Sequence, residues 1–164
     1  MYTIRTATVN DVEIIREIAD KTWWVTYGPI LEKAQIEFML GEIYSEEKIS
    51  KQIAENLQAF LLLEEDGRPV AFAAYSPREE DAEIYKLHKL YCLPETQGKG
   101  YGKILINAVA DKTVEAGKTV LELNVNKYNN AKSFYEKMGF VIAYEEDIPI
   151  GEYWMNDYVM RKEL

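Results

Sequence analysis

A glycine-rich turn lies between an apolar segment and a helix-like segment in this 164-residue sequence. Within the segment LPETQGKGYGKIL, Gly98, Gly100 and Gly102 directly precede a pattern typical of a helix. Glycine is needed where φ is positive or where a ligand approaches the backbone closely. The free N–H groups at a helix start, and the positive end of its dipole, attract anions. The turn therefore predicts a phosphate cradle, with Lys99 and Lys103 at its rim.

Two common nucleotide-binding patterns do not match this turn. A Walker A loop would need glycine at Gln97 and serine or threonine at Ile104. In a dinucleotide fingerprint the third glycine would come one residue later than Gly102. Spacing alone also leaves open a glycine-rich turn that binds nothing.

The elements around the turn predict an α/β fold with a mixed sheet and helices on both faces. Asp66-Gly67 lies between two apolar runs and predicts a hairpin. Strand 84–92, helix 101–116 and strand 119–125 predict a right-handed crossover with parallel strands. The full order is strand, helices, three strands, helix, strand, helix and two closing strands. Because no repeat or linker interrupts this order, we expect one domain over residues 1–164.

Charge and composition exclude several classes of protein. A formal net charge of −9 disfavours broad nucleic-acid binding, which relies on Lys and Arg to neutralise phosphates. No apolar run approaches the ~20 residues of a membrane span, and the start of the sequence does not resemble a signal peptide. The single cysteine, Cys92, and the single histidine leave no multi-cysteine metal site, so we expect no metal. These features indicate a cytoplasmic protein that does not bind membranes.

Two segments resemble the GNAT superfamily of N-acetyltransferases. LYCLPETQGKGYGKIL is similar to its acyl-CoA signature, Gln/Arg-x-x-Gly-x-Gly/Ala, and LELNVNKYNNAKSFYEKMGF is similar to its second conserved region. The opening YTIRTATVNDVEIIREIA is also typical of that superfamily. The resemblance implies a mostly antiparallel central sheet in which two parallel strands splay apart. It also implies direct transfer of an acetyl group from acetyl-CoA to an amine in a ternary complex.

The resemblance further implies which residues contact coenzyme A. The pyrophosphate would lie on the backbone of the glycine turn, and the pantetheine arm would run between the splayed strands. Two asparagines before the later helix are candidates for a further contact, although either could simply cap that helix. The implied residues are Leu90, Tyr91, Cys92, Gln97, Gly98, Lys99, Gly100, Tyr101, Gly102, Lys103, Asn129 and Asn130.

The resemblance also implies catalytic roles. Tyr135 matches the tyrosine that protonates the departing thiolate, with a packed helix aromatic as the alternative. Glu83 begins the first splayed strand, where many members place a carboxylate that activates water. His88 is a second candidate base, although a lone strand histidine is more often structural. Cys92 is interpreted as a small buried apolar residue.

The acceptor side carries a weaker resemblance. The tail DIPIGEYWMNDYVMRKEL is similar to the end of bacterial polyamine and diamine acetyltransferases, which implies a primary amine and possibly a polyamine as acceptor. One of Trp23 and Trp24, together with Tyr27, could form a wall of the acceptor pocket. The carboxylates that could hold a cationic acceptor are Glu37, Asp147, Glu152 and Asp157.

Three alternatives remain at this stage. The protein could acetylate a protein N-terminus or a lysine, it could bind an acyl-CoA without catalysis, or it could bind a nucleotide. The missing nucleotide-binding patterns disfavour the last of these. An unpaired sheet edge would also allow a homodimer.

Overall fold

In a computed structural model that describes residues 1–164, seven strands form one sheet in the order β1-β2-β3-β4-β5-β7-β6. The strands are β1 Tyr2–Thr6, β2 Ala59–Glu65, β3 Arg68–Pro77, β4 Ile84–Cys92, β5 Val120–Asn126, β6 Val141–Ile150 and β7 Tyr153–Glu163. The helices are α1 Val12–Tyr27, α2 Lys33–Ile43, α3 Glu46–Ala54, α4 Tyr101–Glu115 and α5 Ala131–Lys137.

The predicted parallel crossover is confirmed. Strands β4 and β5 pair in parallel through α4, whereas every other neighbouring pair of the sheet is antiparallel. The parallel pairing runs only from Ile84–Val120 to Leu87–Leu123, although both strands continue further. Beyond these pairs the two strands separate, so the predicted splay is present and one edge of β4 has no strand partner there.

A β-bulge interrupts β4 at the point where the splay begins. The register with β3 shifts between Ala74 and Tyr75, and His88 has no residue opposite it. A bulge changes which side chains share a face of the sheet. Here the His88 Nε2 atom lies 2.6 Å from the hydroxyl of Ser76, and Ser76 pairs with Lys86. His88 and Lys86 therefore lie on the same face of the sheet.

Helices cover both faces of the sheet. Residues 60–63 and 70–74 are buried without interruption. Because successive side chains of a strand point to opposite faces, such runs require cover on both sides. Helix α1 packs against α2, α3 and the middle strands, and α4 packs against β2 to β5. The buried apolar side chains form one cluster of 32 residues.

Glycine turns end the elements where the sequence predicts them. Asp66 and Gly67 adopt φ values of 51° and 84° in the β2–β3 hairpin, and Gly117 adopts 79° after α4. These positive angles explain why glycine or a small polar residue stands there. None of the helices combines the length and the apolar character needed to cross a membrane.

Candidate active site

The glycine turn presents free backbone N–H groups. Gly98 and Gly100 have φ values of 86° and 79°, and α4 begins at Tyr101. The first N–H group of α4 to donate within the protein is that of Ile104, to the carbonyl of Gly100 at 3.1 Å. The N–H groups of the preceding helical residues thus point out of the helix start. This is the arrangement that binds phosphate.

The space above the turn fits a phosphate-bearing ligand. A Cβ atom at Gly98 or Gly100 would meet no atom within 4 Å, whereas one at Gly102 would lie 3.4 Å from the ring of Phe134. A cavity of about 630 Å³, here called the turn cavity, opens at this place. Its lining includes Leu90, Cys92, Gln97, Gly98, Gly100, Tyr101, Gly102, Lys103, Asn130, Phe134 and Tyr135.

The predicted rim residue Lys99 and the predicted coenzyme A contact Tyr101 share one partner inside the protein. Lys99 donates to the Glu65 carboxylate at 2.6 Å, and the Tyr101 hydroxyl donates to the same oxygen at 2.5 Å. Lys99 does not line the turn cavity, whereas Lys103 does. Of the two lysines, the geometry therefore favours Lys103 as the cation for a bound phosphate.

A smaller cavity of about 170 Å³ lies between the separated strands and is called the splay cavity. Leu90 and Cys92 line both this cavity and the turn cavity. Tyr91 lines the splay cavity but not the turn cavity. Burial raises the pKa of the Cys92 thiol to about 11, so it stays protonated and packs as a small apolar group. The two cavities form a path along the free edge of β4.

Tyr135 lies where the turn and splay cavities meet, since it lines both. Its ring packs edge-on against Phe140, with 6.0 Å between centroids. No hydrogen-bond partner for its hydroxyl is present in the protein. Burial raises the pKa of Tyr135, so the hydroxyl carries its proton at neutral pH.

The two asparagines before α5 have different surroundings. The Asn129 side-chain oxygen accepts from the N–H of Ala131 at 2.9 Å, and Asn129 lines the splay cavity. Asn130 precedes the helix without a side-chain capping bond and lines the turn cavity. Asn129 thus borders the splay cavity, and Asn130 borders the turn cavity.

Glu83 lines neither the turn cavity nor the splay cavity, and it does not line the third cavity described below. It precedes β4 at the end opposite the splay, is exposed, and pairs with Lys118 at 2.9 Å. The geometry therefore gives no support to its predicted role as the base.

His88 does reach the site, because it lines the splay cavity and the neighbouring Asp157 cavity described below. Burial, with added repulsion from Lys89 and Lys86, lowers the pKa of His88 to about 3. A neutral imidazole with so low a pKa is a poor acceptor for the proton of an ammonium group.

A third cavity, of about 390 Å³, lies beside the splay cavity and contains a buried carboxylate; we call it the Asp157 cavity. Asp157 is 6% exposed on β7, and its Oδ2 accepts from Asn124 at 3.3 Å. Three buried polar atoms of the lining have no partner: Asp157 Oδ1, Asn124 Oδ1 and Trp23 Nε1. Unpaired buried polar atoms are costly, so this lining is suited to a polar ligand.

Burial is the main reason that the pKa of Asp157 is raised, and the nearby carboxylates Glu146 and Asp147 add to the effect. The hydrogen bond from Asn124 and the charge of Lys86 act in the opposite direction. A carboxylate with a raised pKa is a stronger base than an exposed one. Asp157 therefore fits a proton acceptor better than Glu83 or His88 does.

The remaining acceptor-side candidates divide clearly. Trp23 and Tyr27 are buried and line the Asp157 cavity, whereas Trp24 packs at the edge of the core. Glu37 pairs with Lys33 on the surface, and Asp147 and Glu152 are exposed. None of these three carboxylates lines a cavity of the site.

Sequence reasoning missed Lys89. It is 5% exposed, and its Nζ donates to the side-chain oxygens of Gln58 at 2.6 Å and Gln52 at 3.1 Å. Burial, with repulsion from Lys48, lowers the pKa of Lys89 to about 7. A charged residue inside an apolar strand was the available signal, because such residues are rarely buried without a reason.

Comparisons with known proteins agree with this geometry. Residues 20–140 match the model of the acetyltransferase (GNAT) family. The chain is 28% identical to a spermidine N(1)-acetyltransferase of Thermoplasma acidophilum, over 98% of this chain and 96% of that protein. It is 29% identical to an uncharacterized N-acetyltransferase of Mycobacterium tuberculosis, over 95% of this chain and 99% of the relative.

Solved structures give the same result. The PaiA N-acetyltransferase of T. acidophilum, in complex with coenzyme A, superposes with a TM-score of 0.86 at 28% identity, covering 100% of this chain and 99% of that one. The ribosomal-protein-S18-alanine N-acetyltransferase of Escherichia coli superposes with a TM-score of 0.74 at 20% identity, covering 99% and 94%, which supports the fold alone. The family match, the splayed parallel strands and the glycine turn lead to one conclusion: this chain belongs to the GNAT family and is an N-acetyltransferase.

Proposed function

We propose that this enzyme transfers the acetyl group of acetyl-CoA to the primary amine of a small molecule bound in the Asp157 cavity. One observation carries the proposal: the splay cavity and the Asp157 cavity share a wall. The shared residues are Tyr27, His88, Lys89, Tyr91 and Asn124. The two cavities are therefore adjacent, and a thioester in the first would lie next to an amine in the second.

The donor half of the site fits acetyl-CoA, which supplies the activated acetyl thioester. The N–H groups at the start of α4 would hold the pyrophosphate, and Lys103 would add a positive charge. The free edge of β4, from Leu90 to Cys92, would accept hydrogen bonds from the pantetheine amides and donate to them. The relative PaiA, in complex with coenzyme A, supports the same ligand.

Asp157 and Tyr135 would handle the two protons of the reaction. An alkyl ammonium must lose a proton before its nitrogen can attack, and Asp157 takes that proton directly or through water. The new N–C bond forms as the C–S bond breaks. Tyr135 gives its hydroxyl proton to the departing thiolate, and the attacking nitrogen releases its second proton through water, which restores Tyr135. Asp157 then returns the first proton to solvent. The products are the N-acetyl compound and free coenzyme A.

The comparison with a named relative makes a polyamine one candidate for the acceptor. The spermidine N(1)-acetyltransferase of T. acidophilum favours it, as does a buried carboxylate for one ammonium group. The test is release of thiol from acetyl-CoA with spermidine, diamines, amino acids, amino sugars and short peptides. Turnover confined to peptides would overturn the small-molecule proposal, and turnover with spermidine alone would establish the polyamine.

We expect Tyr135→Phe to lower kcat by about 10- to 100-fold while the Kd for acetyl-CoA changes by about twofold or less. The ring and its packing on Phe140 remain, and only the donated proton is lost. Steady-state kinetics and calorimetry measure the two constants. Tyr85→Phe is the matched control, since Tyr85 stacks on Tyr75 and lines none of the three cavities. An unchanged kcat would remove Tyr135 as the acid.

A further inference from the structure

One end of the Asp157 cavity is positively charged. Lys89 reaches across the sheet until its Nζ lies 5.1 Å from the ring centre of Phe60 on β2. Two of its N–H groups go to Gln52 and Gln58, and Lys48 also lines this end. Because an ammonium has three N–H groups, one donor of Lys89 remains for a ligand.

The other end of the cavity is negatively charged. Asp157 lies on β7, and its Oδ1 has no partner. Strand β5 separates β7 from β4, and β4 and β5 have already separated at Lys89, so the two backbones are more than ~10 Å apart. Lys89 leans away from β7, towards β2, so its ammonium and the Asp157 carboxylate are separated by roughly 10 Å or more.

We propose that the acceptor is a primary amine that also carries a carboxylate, with its ammonium at Asp157 and its carboxylate at Lys89. The proposal rests on the proposed function, because it assumes that a small-molecule amine enters this cavity. Charge-assisted hydrogen bonds would form at both ends. A second ammonium, as in a diamine or polyamine, would instead meet Lys89 and Lys48.

The distance between the two ends narrows the class further. Contacts of ~3 Å at each end leave roughly 4 Å or more between the ammonium and the carboxylate of the acceptor. In an α-amino acid the ammonium nitrogen and the carboxylate oxygens are only ~2.7–3.6 Å apart. An ω-amino acid is long enough to span the cavity. An amino acid whose side-chain amine accepts the acetyl group is also long enough. The cavity suits their methylene chain, because apolar side chains such as Ile148 and Met155 also line it.

The pKa of Lys89 is consistent with this use. Burial lowers it to about 7, so a carboxylate that binds there restores a favourable charged state. The Lys89 ammonium lies 5.1 Å from the ring centre of Phe60 and 5.8 Å from that of Tyr44. A methionine could occupy the same space without the charge.

Three acceptors that differ only at the far end test the proposal: 5-aminopentanoate, pentylamine and 1,5-diaminopentane. We expect the wild-type enzyme to give a kcat/KM for 5-aminopentanoate at least about tenfold above the other two, because it alone gains a charge-assisted bond. Lys89→Met should lower the ratio of kcat/KM for 5-aminopentanoate to kcat/KM for pentylamine about tenfold, because only the first of these amines uses the charge of Lys89. Lys162→Met, half-buried on β7 and outside the cavity, is the control.

Each other outcome is decisive. Equal turnover of the three amines, or a preference for the diamine, would overturn the carboxylate proposal and leave acetyl transfer to small amines intact. No turnover with these or any other small amine, in a protein that still binds acetyl-CoA, would overturn the proposed function itself. The wild-type series decides the matter even if Lys89→Met does not fold.

Discussion

Gly100→Asp is expected to weaken acetyl-CoA binding by about 100-fold or more, equivalent to ~2.7 kcal/mol. A Cβ at Gly100 would meet no protein atom within 4 Å, so the new carboxylate enters the space where the pyrophosphate would lie. Two like charges would then share one helix start, and the N–H groups of α4 would be occupied by the side chain. Calorimetric titration with acetyl-CoA measures the loss.

The chain offers a matched control for this substitution. Gly67 has a φ of 84°, close to the 79° of Gly100, and a Cβ there would also meet nothing within 4 Å. It lies in the β2–β3 hairpin and lines none of the three cavities. Gly67→Asp and Gly100→Asp should each lower the free energy of unfolding by about 1 kcal/mol through backbone strain. Only Gly100→Asp should weaken the binding of acetyl-CoA. Undiminished binding in Gly100→Asp would show that the turn does not hold the pyrophosphate.

Asp157→Asn is expected to lower kcat/KM by about 100-fold or more while raising the melting temperature. Activity falls because an amide cannot take the proton of the acceptor ammonium. Stability rises because the variant removes a buried charge with an unpaired oxygen. A gain of about 1 kcal/mol corresponds to a shift of about 2–4 °C for a chain of this size.

The pH dependence of this stability gain follows from the raised pKa of Asp157. In the unfolded chain the group titrates near its ordinary value of 3.8, and in the fold it titrates at a higher pH. The buried charge of Asp157 therefore lowers the free energy of unfolding of the wild-type protein fully at pH values above the pKa of Asp157 in the fold. This loss disappears as the pH falls to the pKa of the unfolded chain. Thermal melts of both proteins across this range measure it.

Asp147→Asn serves as the control for both measurements. Asp147 lies on β6, opposite Asn156, and is exposed to solvent outside the cavity. The same chemical change there should leave activity and melting temperature nearly unchanged. If Asp157→Asn keeps full activity, another group takes the proton. If it destabilises the fold, the carboxylate has a structural partner.

The donor half of the site was predictable because its signals are local. The turn at Gly98 and Gly100 needs positive φ angles, and the helix start follows directly in sequence. The parallel pairing of β4 and β5 follows from the intervening helix, and Tyr135 belongs to a recognisable segment. Such short-range requirements leave a pattern in the sequence itself.

Glu83 and His88 were the two predicted bases, and the structure supports neither of them. The resemblance assigned Glu83 a role from its place at the start of β4, but in the structure that place lies at the end of β4 opposite the splay. His88 lies at a bulge in β4 and lines two cavities, and no local pattern in the sequence predicted the bulge. Its low pKa, in turn, depends on burial by other elements and on Lys89 and Lys86.

The sequence by itself determined the family, the order of the elements and the place of the glycine turn at the start of α4, because each depends on residues that are close together in the chain. Only the tertiary structure singled out Asp157 and Lys89 among many charged residues. They lie on different strands, 68 positions apart, and both are buried at one cavity. Burial of a charge is a property of the whole packed fold, and it is burial that alters the pKa of these two groups and leaves their polar atoms for a ligand.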